Sequence, residues 1–204
     1  MARQRYGLAS GRFMAVLAAA LVLFVEAGAA LGQKAKTETA VFGAGCFWCV
    51  EAFYEPQPGV IRVTSGYAGG TEQNPTYKQV GSGQTGHAEV VLVEFDPTKT
   101  TYEKLVDFFW KTHDVTDGSG VWPDFGKQYR SIILYKDEAQ HQAIERSKAR
   151  AQAGLSKPIA TEIAPLTKFW PAEDYHQDYV KNNPNDTYVV NIAKPKLKKL
   201  GLLK

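Results

Sequence analysis

The stretch GAGCFWCVE, residues 43–51, holds both cysteines of the 204-residue chain, Cys46 and Cys49, separated by two bulky aromatic residues. Its glycines predict a turn after a short strand, and the residues that follow predict a helix that ends at Pro56. A cysteine in the first turn of a helix meets free N–H groups and the positive end of the helix dipole, which favour its thiolate. Cys46 is therefore the better candidate nucleophile. Cys49 follows one turn later on the same side, within reach of a disulfide bond.

The two residues between the cysteines, Phe47 and Trp48, are unlike the small residues that often separate the cysteines of thioredoxin-like modules. They predict either an apolar pocket beside Cys46 or ordinary core packing. A zinc site takes four ligands, and the four histidines show no metal-ligand spacing, so we predict no metal. A structural disulfide that closes so small a loop adds little stability. A redox or nucleophilic role for the cysteines is the favoured interpretation.

The composition is that of one globular domain, with 44% hydrophobic residues and a formal charge of +3. Three arginines and one glutamate give the first 32 residues a charge of +2, which leaves about +1 for the rest. We therefore expect neither a nucleic acid nor an acidic membrane surface as a partner, and we expect a monomer. The Lys-rich end, residues 185–204, is predicted to be a solvated tail.

The N-terminus has the three parts of a secretory signal peptide, residues 1–32: a basic start, an apolar run and small residues around Ala29. The apolar run, Phe13 to Val25, is short for a membrane span, which needs about 20 residues. We expect cleavage near residues 29–32 and export to the periplasm if the source is Gram-negative, where disulfides persist. The alternative is an uncleaved N-terminal anchor that leaves the domain facing the periplasm.

After Thr37, strand-like and helix-like segments alternate in the order β-α-β-β-α-β-α-β-α, and the last helix is predicted from Pro171 to just before Pro184. This order predicts a single α+β domain, a mixed β-sheet with helices packed over it around a ferredoxin-like plait core. Two long glycine-rich loops, residues 71–86 and 114–127, are unusual in a compact domain and are predicted to be functional.

Five blocks of this sequence, in this order, resemble the peptide methionine sulfoxide reductase A family: GAGCFWCVEAFYEPQPGV, TSGYAGG, NPTYKQVGSGQTGHAEVVLVEFDP, DFGKQYRSIILY and AEDYHQDY. The resemblance implies a catalytic domain over residues 37–184. It implies an enzyme, a peptide-methionine (S)-S-oxide reductase, that returns methionine-S-sulfoxide, free or in proteins, to methionine. Reversal of methionine oxidation is the general role of such enzymes, so the implied function is repair of oxidised exported proteins under oxidative stress.

The resemblance also implies roles for individual residues. Cys46 matches the family nucleophile, which becomes a sulfenic acid. Glu89 matches the catalytic acid, which must be protonated and therefore buried among apolar groups that raise its pKa. The other matching positions are the two tyrosines that hydrogen-bond the sulfoxide oxygen, the aspartate that helps hold the site and the aromatic cradle for the substrate methyl group: Tyr77, Tyr129, Asp124, Phe47 and Trp48.

The chain departs from many family members because residues 185–204 contain no cysteine. Cys49 is then the candidate resolving thiol, and a Cys46–Cys49 disulfide would be reduced by an external thioredoxin-like dithiol with no cofactor. A one-cysteine cycle, with Cys49 idle, is the alternative. Two other functions stay open: a thiol–disulfide oxidoreductase that uses the CxxC pair, and a binding module with CFWC in its core. Oxygen removal needs Glu89 and the two tyrosines, and disulfide exchange has no obvious use for them.

Overall fold

The computed structural model of the protein describes residues 1–2 and 37–203. The predicted signal peptide lies, from residue 3 onward, outside these described residues. In the ranges that are described, no helix combines the length and the apolar character that a membrane span requires. Residues 36–204 form one compact unit, which carries every site residue predicted from the sequence.

Residues 37–203 contain eight strands: β1 Glu38–Gly43, β2 Val60–Ala68, β3 Ala88–Phe95, β4 Gly120–Val121, β5 Asp124–Phe125, β6 Ile132–Tyr135, β7 Glu162–Pro165 and β8 Trp170–Pro171. Six of them form a sheet in the order β7-β6-β1-β3-β2-β8, and β4 pairs with β5 in a separate small hairpin. The β1–β3, β2–β3, β1–β6 and β2–β8 pairs are antiparallel, and the β6–β7 pair is parallel. The predicted mixed sheet is confirmed, and its four central strands have the order of the predicted plait.

The same residues contain six α-helices: α1 Phe47–Tyr54, α2 Tyr77–Gly81, α3 Tyr102–Thr112, α4 Glu138–Gln152, α5 Tyr179–Asn182 and α6 Lys194–Lys199. Two 3-10 turns, Lys127–Tyr129 and Asp174–His176, and one π turn, Val189–Ala193, complete the chain. Helices α1 and α3 make the two crossover connections of the plait, and α4 connects β6 to the parallel strand β7. They have the sequence signals expected of them, such as the Asp137 side chain that caps α4 by accepting the Gln140 N–H.

The main core lies between these helices and one face of the sheet. Successive residues of a strand point to opposite faces, so Val91, Val93 and Phe95 of β3 all point into this core. Glu89 is two residues before Val91 and therefore lies on the same face, at the end of the strand. Because the side chains of β3 alternate between the two faces of the sheet, the Glu89 carboxyl lies beneath the helices and not in solvent.

The turn between β1 and α1 brings this end of the sheet and the start of the helix together. Gly43 ends β1, and a Cβ built there would lie 2.7 Å from Ile132 Cγ2 and 2.8 Å from the Glu89 carbonyl oxygen, so only glycine fits. Gly45 has φ +82°, a conformation that side-chain-bearing residues rarely adopt. The two glycines thus allow Cys46 to sit directly against the end of β3.

The predicted helix from Pro171 to Pro184 is wrong. Pro171 lies in β8, paired with Gly66, and the chain then makes the Asp174–His176 turn before α5. The Gln177 side chain holds this segment to the sheet: its oxygen accepts the Ser65 N–H at 2.9 Å and its amide donates to the Ser65 carbonyl at 3.1 Å. Asp178 has φ +52°, which interrupts the helical backbone before α5.

The predicted solvated tail is also wrong. Val189, Ala193 and Leu197 are buried, and the last two are members of the main core. They recur every fourth residue, so they form one apolar stripe on a helical surface whose other positions carry the lysines. The folded domain therefore continues well beyond the predicted boundary at residue 184.

Candidate active site

Cys46 occupies the N-cap position of α1 and is 7% exposed. The predicted low pKa of this thiol is wrong: burial raises its pKa well above the ordinary value, and the charges of Glu89, Cys49 and Asp124 raise it further. A hydrogen bond from the Trp48 N–H lowers it but is outweighed. The helix N-terminus favours an anion as expected, yet three neighbouring groups that become negative when ionised oppose the thiolate.

Glu89 is the group that makes use of the helix N-terminus. Its Oε2 accepts the backbone N–H of Phe47, the first residue of α1, at 3.0 Å. The carboxyl is 1% exposed, and burial, with a smaller effect from the Asp124 charge, raises its pKa to about 8. The predicted burial and raised pKa are confirmed, and Glu89 carries a proton at neutral pH.

Two of the predicted tyrosines come from the two long loops. Tyr77 is the first residue of α2, which the capping box of Thr76 and Gln79 starts inside the first loop. Tyr129 ends the 3-10 turn that follows the second loop. Burial and the charges of Glu89 and Cys46 raise the pKa of both phenols, that of Tyr77 to about 12. These raised pKa values keep both phenols protonated, so both hydroxyls are neutral donors near Cys46 and Glu89.

The aromatic residues between the cysteines differ in exposure. Phe47 is fully buried and packs its ring 6.3 Å from Tyr77 and 5.0 Å from His176, centroid to centroid. Trp48 is half-buried and stacks on Tyr179 at 3.7 Å. Phe47 is thus part of the core beneath the site, and the Trp48 side chain lies at the surface of the site, partly exposed to solvent.

His176 fixes the orientation of the Trp48 ring. Its Nδ1 accepts the Trp48 indole N–H at 3.0 Å, so the ring proton of the neutral imidazole is on Nε2. Nε2 is buried and has no hydrogen-bond partner in the described part of the chain. Burial lowers the pKa of His176, which keeps the imidazole neutral. This histidine therefore packs beside the site and orients Trp48 through a single hydrogen bond.

Glu173 holds the backbone of Tyr77 through a hydrogen bond, and the sequence did not predict it as a site residue. Its Oε1 accepts the Tyr77 backbone N–H at 3.1 Å, and its Oε2 accepts the Tyr67 hydroxyl at 2.8 Å. These hydrogen bonds lower the pKa of Glu173 although partial burial opposes them, so this carboxylate stays ionised while Glu89 stays protonated. Glu173 and Glu89 have opposite protonation states because Glu173 accepts several hydrogen bonds and Glu89 is buried with one donor.

Tyr188 connects Asp124 and Cys49, and it lies in the segment that was predicted to be a solvated tail. The Tyr188 hydroxyl donates to Asp124 Oδ2 at 2.6 Å, and the Cys49 thiol lies 3.8 Å from the Tyr188 oxygen. Cys49 is fully buried, and burial raises its pKa to about 11. Both cysteines are free thiols in this structure.

The remaining histidine next to the site is structural. His87 accepts the Gly70 N–H on Nδ1 at 3.2 Å, and its Nε2 lies 2.8 Å from the Glu72 carbonyl oxygen, so it pins the loop after β2. Among the residues that the structure describes, no group of three or more histidine, cysteine or acidic side chains is placed to hold a metal ion.

All the predicted site residues therefore gather around the N-terminus of α1. The arrangement combines a thiol, a protonated carboxyl, two neutral phenols, an aromatic wall and a second thiol with a hydrogen-bonded partner. Thiol, acid and donors of this kind can reduce a polar S=O group, since a thiolate attacks sulfur while the acid and the phenols take up charge on oxygen.

Comparison with known proteins points the same way. The model of the family described as "Peptide methionine sulfoxide reductase" matches residues 38–201. A protein of Haloquadratum walsbyi named peptide methionine sulfoxide reductase MsrA is 50% identical over 164 residues, which are 80% of this chain and 94% of that protein. The reduced form of Mxr1 from Saccharomyces cerevisiae superposes with a TM-score of 0.71 at 34% identity, covering 76% of this chain and 90% of that one. Mxr1 in complex with Trx2 superposes with a TM-score of 0.51 at 25% identity, covering 72% and 87% of the two chains.

Proposed function

Because the chain belongs to the peptide methionine sulfoxide reductase family, we propose that it reduces the S epimer of methionine sulfoxide, free or in oxidised proteins, through Cys46. The observation that carries this assignment is the protonated Glu89 carboxyl at the helix N-terminus beside Cys46. A thiol–disulfide exchanger has no use for a carboxyl that is held protonated, whereas a sulfoxide oxygen must gain a proton before its bond to sulfur breaks.

The first half-reaction moves oxygen from the substrate to Cys46. The Cys46 sulfur attacks the sulfoxide sulfur while Glu89 protonates the oxygen, and the Tyr77 and Tyr129 hydroxyls donate to it. The attack forms an S–S bond between Cys46 and the substrate; this bond and the substrate S–O bond then break as an S–O bond to Cys46 forms. The proton of the Cys46 thiol replaces the one that Glu89 gave, so in sum one thiol and one sulfoxide become one sulfenic acid and one thioether. Methionine sulfoxide is reduced and Cys46 is oxidised.

Cys46 and Glu89 are both buried, and the ionisation of Glu89 opposes that of Cys46. The charge of Glu89 raises the pKa of Cys46, so a thiolate forms most readily when Glu89 is neutral. Neutral Glu89 therefore has two roles. It donates the proton to the substrate oxygen, and it lacks the charge that would oppose the Cys46 thiolate. The partly exposed Trp48 ring offers the apolar surface for the substrate methyl group, and the buried Phe47 ring packs beneath the site.

The second half-reaction closes a Cys46–Cys49 disulfide and releases water. Cys49 lies one turn along α1, with its N–H donating to the Cys46 carbonyl at 3.1 Å. An external thioredoxin-like dithiol then returns both cysteines to thiols, so the electrons need no bound cofactor. The complex of the structural relative Mxr1 with Trx2 supports this choice of reductant.

The basic, apolar and small-residue segments of residues 1–32 support export of the enzyme, with repair of oxidised periplasmic proteins as its task. Cell fractionation of a Gram-negative host that expresses the full chain tests this. A periplasmic protein that has lost residues up to 29–32 supports export with cleavage, and a full-length membrane-bound protein supports the anchor.

The activity test mixes the exported domain with each epimer of a methionine sulfoxide peptide and dithiothreitol, and measures the methionine formed. We expect turnover of the S epimer alone and none after Cys46→Ser. Turnover of neither epimer, together with reduction of insulin disulfides at a thioredoxin-like rate, would replace this function by thiol–disulfide exchange.

A further inference from the structure

The C-terminal segment reaches back to the second cysteine of the CxxC pair. Cys49 donates its S–H to the Tyr188 oxygen at 3.8 Å, and Tyr188 donates its own O–H to Asp124 Oδ2 at 2.6 Å. The two hydrogen bonds run in one direction, from the thiol through the phenol to the carboxylate. Such a chain of donors is an arrangement in which each hydrogen bond polarises the next, and it can move a proton away from a buried group.

We propose that Tyr188 is a catalytic residue of the second half-reaction: it accepts the proton of Cys49 and passes its own proton to Asp124 while Cys49 attacks the Cys46 sulfenic acid. This inference rests on the proposed function, because it concerns how the sulfenic acid is resolved. It assigns to Asp124 the role of proton acceptor, in addition to the holding role that the family resemblance implies.

The need for such an acceptor follows from the burial of Cys49. The thiol is fully buried and has no contact with solvent that could act as base. Burial holds its pKa at about 11, so at neutral pH nearly all of it is the thiol, which is a poor nucleophile. The Lys196 charge and the hydrogen bond with Tyr188 favour the thiolate, and the charges of Asp124 and of ionised Glu89 oppose it. Because Glu89 is protonated, Asp124 is the opposing charge that remains, and transfer of the proton onto Asp124 removes it at the moment when the thiolate is needed.

Tyr188 suits the bridging position because it does not ionise. Burial, the neighbouring cysteines and the bond to Asp124 raise its pKa well above the usual range, so it remains a hydroxyl that donates and accepts at once. The Asp186 side chain accepts the Tyr188 N–H at 2.9 Å, and the ring meets Trp48 edge-on at 5.8 Å. Backbone and ring are therefore both fixed, and the hydroxyl keeps its direction.

The step balances in atoms and protons. The Cys46 S–O bond breaks and the Cys46–Cys49 S–S bond forms, so the Cys46 sulfur is reduced and the Cys49 sulfur oxidised. The Cys49 proton moves to Tyr188 as the Tyr188 proton moves to Asp124, and Glu89 protonates the departing hydroxide. In sum, the sulfenic acid of Cys46 and the thiol of Cys49 become one disulfide and one water, with one proton relocated from Glu89 to Asp124.

The test is single-turnover rapid quench of the exported domain with excess methionine-S-sulfoxide and no reductant. It counts sulfenic acid by dimedone trapping and disulfide by intact mass. Tyr188→Phe keeps the ring and removes the bridge, so we expect disulfide closure to slow on the order of 10²-fold, far more than sulfenic acid formation. Asp124→Asn should act in the same direction. Tyr135→Phe, a half-buried tyrosine of β6 outside the site, is the matched control and should close at the wild-type rate.

The pH dependence separates proton transfer from a structural effect. Without the relay, closure depends on the small fraction of Cys49 that is already ionised, so closure in Tyr188→Phe should accelerate close to tenfold per pH unit over about pH 5–7, where Glu89 stays protonated, with a shallower wild-type profile. Equal closure rates, or equal slopes, in the wild type and Tyr188→Phe would overturn the inference while leaving the proposed function intact. Absence of any sulfenic acid or disulfide in the wild type would instead overturn the proposed function.

Discussion

Glu89 Oε2 accepts the backbone N–H of Phe47 at 3.0 Å, so the carboxyl group, and not the neighbouring thiol alone, occupies the anion-binding end of α1. This relationship explains two properties of the site together. The acid is hydrogen-bonded to the first residue after Cys46, and its charge, when present, raises the pKa of the Cys46 thiol. Reduction of an S=O group needs a nucleophile for sulfur and a proton for oxygen. The hydrogen bond from Phe47 keeps the group that supplies the proton next to Cys46.

Glu89→Gln should slow sulfenic acid formation by roughly 10²- to 10⁴-fold, the usual contribution of a general acid. The amide can still accept the Phe47 N–H, so the turn should keep its shape while the proton donor is lost. Single-turnover formation of methionine measures this. Glu94→Gln is the matched control on the same strand: Glu94 pairs with Arg62 at the surface, and its loss should leave the rate within about twofold of the wild type. A near-normal rate in Glu89→Gln would remove Glu89 from the acid role.

The same substitution should lower the pKa of Cys46. The Glu89 charge is the second-largest cause of the raised pKa, after burial, so its removal favours the thiolate while burial still opposes it. The rate of iodoacetamide alkylation of Cys46 as a function of pH gives this pKa directly, with Cys49→Ser as the background. An unchanged or higher pKa in Glu89→Gln would show that the two groups do not interact in the free enzyme.

Glu89 should also make the stability of the domain depend on pH. Its folded-state pKa of about 8 lies above the unfolded value of 4.5, so the stabilising contribution is full below pH 4.5 and is lost as the pH rises through about 8. The wild type should therefore lose roughly 3 kcal/mol relative to Glu89→Gln between about pH 5 and pH 8. Urea unfolding of both proteins at several pH values measures the difference, which cancels the contributions of other carboxyls. A difference that does not change with pH would contradict the burial of a protonated Glu89.

The C-terminal segment should contribute to stability as part of the core. Leu197→Ala should cost roughly 2–4 kcal/mol, the usual range for a buried leucine that leaves a cavity. Leu203→Ala is the matched control because Leu203 is 42% exposed and should change stability by less than about 0.5 kcal/mol. Urea unfolding of the two variants compares them, and equal small effects would restore the solvated tail.

Most of the fold could be predicted from local patterns, since the alternation in β3, the amphipathic spacing in α3 and the cap of α4 are each set within a few residues. The tail was misread because its composition is dominated by lysine. The spacing of Val189, Ala193 and Leu197 was the available signal: apolar residues at every fourth position predict a buried helical face even in a basic segment. The last helix was misread because Pro171 pairs with Gly66, a distant contact in the sequence that no local pattern reveals.

The candidate site was predicted better than its electrostatics. The resemblance to the family identified Cys46, Glu89 and the tyrosines as a group, and the structure brings them together. The pKa of Cys46 could not be predicted from its place at a helix start, because burial, which is the largest cause, and the charge of Glu89 on β3 arise only in the folded chain. Tyr188 and Glu173 were missed for the same reason: each acts on the site through contacts that only the folded chain makes.

The most direct test of the whole account is the intact mass of the purified protein after one turnover with methionine-S-sulfoxide in the absence of reductant. The account predicts the loss of two hydrogens in the wild type, from the Cys46–Cys49 disulfide, and the gain of one oxygen in Cys49→Ser, from a persistent sulfenic acid. The gain of one oxygen in the wild type would show that Cys49 is idle. An unchanged mass in both proteins after incubation with methionine-S-sulfoxide would contradict the central role of Cys46.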